Sequence, residues 1–248
     1  MGHPAYRSDK IVETLCEVRF VSGGEWDPTV FGSYYNVVKG EFPKKQVQEV
    51  SHVQVQAEQA GIRQTFAPPE LRMGFLTNDE SMMIQLARDL LVINVLKAYP
   101  SWSRFKPVIV RRAREYWETA KPKQICRVGL RYINRYEFPT GEFDVRKLFN
   151  IYPYVPERIN GSASPFLVRV EHPFAEAERL ILTFGETDSG RKDTVAVLLD
   201  LDHVFFELDA DDVGVLEGKL ELAHERVQGA FEACITDRIR ALLDEGDA

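Results

Sequence analysis

Cysteine is scarce in this 248-residue chain: Cys16, Cys126 and Cys234 stand alone, more than 100 residues apart. An odd, widely spaced set builds neither a disulfide framework nor a zinc site. It reads as reduced core residues of a cytosolic protein. Long apolar runs are also missing, and none approaches the ~18–20 residues of a membrane span. The opening residues carry no basic-then-apolar leader, so no signal peptide is expected. The familiar catalytic strings are absent as well. No serine sits in a Gly-x-Ser-x-Gly elbow, and no glycine-rich dinucleotide fingerprint or phosphate loop occurs. The five histidines, His3, His52, His172, His203 and His224, form no metal-binding pair at helical spacing. Nothing here calls for a metal or a cofactor, and the balance is toward a non-enzyme.

What is present is ordinary globular composition, 44% hydrophobic and 28% charged, with a net charge of −7. The charge is uneven. Residues 1–120 carry 15 basic and 14 acidic side chains, and the remainder carries 16 and 24. An acidic chain is a poor non-specific binder of nucleic acid, which demands phosphate neutralisation. The basic side chains between Arg104 and Lys123, Arg112 among them, are expected on a solvated helix face. The acidic second part suits docking on a basic protein surface.

Periodicity gives the architecture. Ile11–Val21 and 125–138 alternate apolar and polar residues as half-buried strands do. Setting Val18-Arg19-Phe20 on Leu130-Arg131-Tyr132 gives an offset of 112 residues. Segments 82–96 and 194–208 both read as long strands. Setting Leu86 and Asp89 on Leu199 and Asp202 gives an offset of 113. Two anchors at nearly one offset predict a tandem duplication of a β-α-β-β-β-α unit, over 1–120 and 121–248, in one compact body. The first unit has a helix capped by Asp27, middle strands at 48–58 and 71–78, and a helix over 102–119 capped by Ser101. The second has a helix near Glu142, strands at 166–171 and 179–184, and a final helical pattern over 211–245 that Asp211 or Asp212 caps. Its 3-4 spacing suits either a homodimer seam or a helix broken near Thr236-Asp237 and packed within the chain. The expected fold class is α+β: an antiparallel sheet with long helices on one face, saddle-like or helix-grip-like.

The strongest local signal is Gly129-Leu130-Arg131-Tyr132-Ile133-Asn134-Arg135. On a strand, Leu130, Tyr132 and Asn134 share one face, and Arg131, Ile133 and Arg135 share the other. Two arginines flanking one residue suit a carboxylate or phosphate. They equally suit cross-strand pairs with Glu17 and Glu137. Arg19, the repeat partner of Arg131, is expected beside it. The candidate binding residues are therefore Arg19, Arg131, Tyr132, Asn134 and Arg135, with no catalytic residue. Asp200 and Asp202 share a strand face, but capping and solvation account for the acidic run that follows them.

The same string, with Glu17-Val18-Arg19-Phe20 and the stretch from Ile93 to Trp102, resembles a sporadically distributed, uncharacterised bacterial family. The resemblance covers most of the chain, and the Gly-Leu-Arg-Tyr-x-Asn-Arg motif is its most specific part. The middle strands carry no matching string. It implies no activity; the patchy distribution implies an accessory gene of a defence or toxin–antitoxin-like module. Together these features favour a cytoplasmic, non-enzymatic binding or adaptor protein that meets a protein partner. The alternative is a small-molecule or nucleotide binder, with hydrolytic activity conceivable, that uses a pocket between curved sheet and helix. Neither reading involves a membrane or nucleic acid.

Overall fold

The computed structural model describes residues 6–50, 53–58, 61–66, 70–156, 158–159 and 164–245, with 49–50, 53–58, 61–66 and 70 described as backbone only. His3, His52 and Pro68-Pro69 lie outside the described residues.

The chain is α+β. In order, β1 (Ile11–Val21), α1 (Thr29–Val38), β2 (Lys44–Val50), β3 (Val53–Glu58), β4 (Gly61–Phe66), β5 (Glu70–Leu76), β6 (Met82–Ala87), β7 (Leu90–Val95) and α2 (Trp102–Ala120) are followed by β8 (Gln124–Pro139), α3 (Val145–Leu148), β9 (Leu167–Ala175), β10 (Glu178–Thr187), β11 (Thr194–Phe205), α4 (Val215–Cys234) and α5 (Asp237–Glu245). Among the described residues nine strands form one antiparallel sheet in the order β2-β5-β6-β7-β1-β8-β11-β10-β9, and β3-β4 is a separate hairpin. Outward from the central β1–β8 pair, the order is β7-β6-β5 on one side and β11-β10-β9 on the other. Val18 pairs with Leu91 and Leu130 with His203, so an offset of 112 residues carries one pair onto the other.

Period-2 alternation places Cys16, Val18 and Phe20 of β1 and Val128, Leu130, Tyr132 and Tyr136 of β8 in the main core. Leu216, Leu220, Ala223 and Val227 of α4 join them, stepping by 3 and 4 as one helix face must. Each of the valines and leucines among them contributes roughly 1.5–3 kcal/mol on burial. Helix α4 meets β8 and β11, and α2 meets β7.

Several sequence expectations are corrected. The first is the long strand over 82–96, which is a hairpin. It turns at Arg88-Asp89, where Asp89 takes the left-handed φ of 56° that aspartate tolerates. Asp89 is thus a turn residue, whereas Asp202 lies inside β11, so they are not structural counterparts. The segment expected as one strand over 48–58 divides between β2 and β3. The helix near Glu142 is a single turn, α3, capped by Asp144. Ser101 does not cap α2 through its side chain, whose hydroxyl lies 3.1 Å from that of Ser103. The final helical pattern is not corrected but resolved toward one of its two alternatives: the chain is extended at Ile235 between α4 and α5, close to the expected break at Thr236-Asp237. Arg112 is no solvated cation; it is 1% exposed. Among the described residues no helix is long and apolar enough to cross a membrane.

Candidate functional site

The five residues singled out from the sequence divide between the two faces of the sheet. Arg19, Arg131 and Arg135 lie on the face away from α4, and each is already engaged. Arg131 makes a two-pronged contact with Asp200, Nε at 2.7 Å and Nη2 at 2.6 Å. Arg19 Nε donates to Glu17 Oε1 at 2.8 Å, and Arg127 pairs with the same carboxylate. Arg135 donates to Glu137 at 3.1 Å and to the Asp188 carbonyl at 2.9 Å. Arg19 does not stand beside Arg131. It opposes Arg127, while Arg131 opposes Leu15. An incoming carboxylate or phosphate must therefore displace Asp200 to reach the Arg131 fork. Asp202 opposes Arg131 in the ladder, and burial raises its carboxyl pKa above the ordinary value. No group of three or more potential metal ligands occurs among the described residues.

Tyr132 and Asn134 point the other way. Their face of β8 meets a cavity of about 380 Å³, within the usual range of ligand sites. Asn134, 4% exposed, and Leu201 of β11 belong to its lining. From α4 come His224, Val227, Gln228 and Phe231, which share one helix face by their spacing of 3 and 4. Tyr99 reaches it from the β7–α2 connection and Trp102 from the first position of α2. Ala98 (φ 46°) and Ser101 (φ 103°) flank these aromatics in conformations that non-glycine residues rarely hold, at a cost of about 1–3 kcal/mol each. The segment 6–11 supplies the remaining wall, fastened by the Ser8 amide to the Leu243 carbonyl at 3.0 Å and by Tyr6 to Glu232 at 2.7 Å.

The aromatic wall is fixed by its own contacts. Trp102 stacks on His224 with ring centroids 4.2 Å apart and 3° between planes. Its indole donates to Glu221 at 3.1 Å. Tyr99 and Tyr132 meet edge-on, and their hydroxyls lie 2.8 Å apart. Burial pushes the Tyr99 phenol up to about 12 and that of Tyr132 well above its usual value, so both stay neutral. In the sequence Trp102 is only the first residue of a helix, and His224 belongs to no histidine pair. The legible signal was the 224–228–231 spacing opposite a tryptophan at a helix start. Its pairing with β8 was not legible.

A second buried polar group lies nearby on β11. His203 is fully buried, with Nε2 3.1 Å from Glu178 Oε1, which Arg226 also contacts at 3.2 Å. Its Nδ1 has no partner among the described residues. Burial holds this imidazole below its ordinary pKa, so the folded chain refuses a proton that the unfolded chain accepts below about pH 6.5. Stability contributed here is full above that pH and falls as the pH drops, by at most about 1.4 kcal/mol per pH unit. Urea midpoints from pH 7 to 5.5 are expected to decline more steeply in the wild type than in a His203→Leu variant. Parallel profiles would contradict this.

The chain matches no protein-family model and none of the curated proteins with which it was compared.

Proposed function

We propose that the chain is a non-enzymatic binding protein whose ligand is a small molecule held between the sheet and α4. The observation that carries this reading is the cavity against Tyr132 and Asn134, walled by fixed aromatic rings. Pre-fixed rings lower the entropic cost of ordering a site around its ligand. A neutral fluorescent probe, N-phenyl-1-naphthylamine, is expected to bind at one per chain, with energy transfer from Trp102. Val227→Trp directs a large ring from α4 into the same space and is expected to abolish binding while the fold persists. Absence of binding to the wild type, or unchanged binding to the variant, would overturn the reading.

A second reading is a cytoplasmic adaptor that meets a protein partner. It is favoured by the outermost strand β9, where Leu167 and Val170 are 72% and 48% exposed. Exposed apolar side chains on an edge strand invite a partner chain. On this reading Arg19, Arg131 and Arg135 belong to the contact surface. A homodimer through α4 and α5 belongs to it as well.

The reading extends to origin. The strand order about β1–β8 and the common offset of 112 support a tandem duplication with long helices on one face of a saddle-like sheet. We place the chain with the sporadically distributed bacterial family on the Gly129–Arg135 string, and with it in an accessory module.

A further inference from the structure

The sheet ends at β9, and among the described residues that strand pairs only with β10. Lysine is one of the usual means of blunting an exposed edge. The opposite edge strand, β2, opens with Lys44-Lys45, whereas β9 contains no lysine. The ladder assigns the backbone polar groups of β9. The Glu186 amide donates to the Phe166 carbonyl at 3.1 Å. Bonded and unbonded positions alternate along an antiparallel pair. Val168, Val170 and His172 therefore direct their N–H and C=O groups at β10. Leu167, Arg169, Glu171 and Pro173 direct theirs outward. Pro173 brings no N–H, and it does so on the outward side, where the bond to β10 loses nothing.

The side chains of this edge are ordered by charge. Arg169 and Glu171 stand on either side of Val170 and are 53% and 40% exposed. That arrangement is its own complement. About a twofold axis through Val170, Arg169 falls opposite Glu171 of a second copy, and Glu171 falls opposite Arg169 of that copy. An axis at Arg169 or at Glu171 would instead set like charges opposite each other, which destabilises a strand pair. The same axis through Val170 brings Val170 against its own counterpart and Leu167 against Pro173, so the exposed apolar side chains of β9 are covered. The missing N–H of Pro173 then falls at the last position of the pairing.

We infer that the partner of β9 is a second copy of this chain, added antiparallel about Val170 so that two sheets become one. A contact of this symmetry makes every pair twice. Arg169 already donates to Glu171 of its own strand at 3.0 Å, and Glu171 also accepts from Arg179 at 2.9 Å. Exchanging an exposed ion pair for its intermolecular equivalent costs little. The inference rests on the edge-strand reading of β9 above and names its partner; the cavity reading is independent of it.

Sedimentation equilibrium of the full chain across the micromolar to millimolar range is expected to show monomer and dimer in exchange. Arg169→Glu alone, or Glu171→Arg alone, sets like charges opposite each other and is expected to weaken the dimer about tenfold or more. The two variants mixed are expected to pair with each other about as tightly as the wild type pairs with itself, because an acidic edge then faces a basic one. That rescue separates a lost contact from a damaged strand. A monomer at every concentration would overturn the second-copy inference and leave β9 open to a different protein. Failure of the mixed variants to pair would also overturn it. A dimer that neither variant weakens would overturn the inference and remove β9 as the contact surface.

Discussion

Removing both acids around Arg112, in a Glu41→Ala/Glu115→Ala variant, is expected to cost about 3–5 kcal/mol of stability, whereas Arg112→Met is expected to cost less than about 1 kcal/mol. The asymmetry follows from where the charges sit. Arg112 lies on the buried side of α2 and is 1% exposed. Its Nη1 donates to Glu115 at 2.6 Å, its Nη2 stands 2.7 Å from Glu41, and its guanidinium lies over the Phe42 ring at 5.1 Å. Nε has no partner among the described residues. Removal of the acids strands a cation that has already lost its water. Removal of the cation strands only carboxylates that are 55% and 23% exposed and can be hydrated. Methionine also fills the space of the arginine stem. Urea denaturation of the two proteins measures the difference. Equal losses would show that the ion pair, not the stranded charge, dominates.

Phe149→Ala is expected to destabilise the chain by about 3–5 kcal/mol, the range for truncating a fully buried phenylalanine. Phe149 follows α3 and is 0% exposed. Its ring lies 4.7 Å from Phe184 of β10 and 5.3 Å from Tyr136 of β8. It therefore ties the short helix to two strands at once. The loss is both transfer free energy and a cavity whose rigid aromatic walls collapse poorly. Phe184→Ala removes the same contact from the other side, so the double variant is expected to lose less than the two single losses added together. Additive losses would mean that the rings act independently.

The fold was legible wherever one periodicity held over many residues. Alternation in β1 and β8 and the 3-4 steps of α4 each point one face at the core, and that face is buried. Legibility failed where burial removed the pattern. The residues of β7 are buried on both faces, so Leu90 to Ile93 reads as one apolar run without alternation. The turn between β6 and β7 uses Arg88-Asp89 without glycine or proline to mark it. The helix break at 235–236 was among the alternatives the pattern allowed. The β3–β4 hairpin had no such signal.

The site was legible in fragments. The Gly129–Arg135 string marked the right strand, and period 2 sorted its residues onto two faces correctly. It could not say that Asp200 occupies the Arg131 fork, because that pairing depends on the register of β11. Nor could it join Asn134 to His224, 90 positions along the chain. The cavity exists only because α4 crosses β8 there and residues 6–11 close the side.

The central claim is that a small molecule binds on the α4 side of β8. The most direct test is backbone amide mapping of the full 15N-labelled chain titrated with N-phenyl-1-naphthylamine. The account predicts that Trp102, Tyr132, Asn134, His224 and Gln228 shift together with a single Kd. Shifts centred on Arg19, Arg131 and Arg135, or on β9, would move the binding surface to the other face or to the sheet edge and contradict the account.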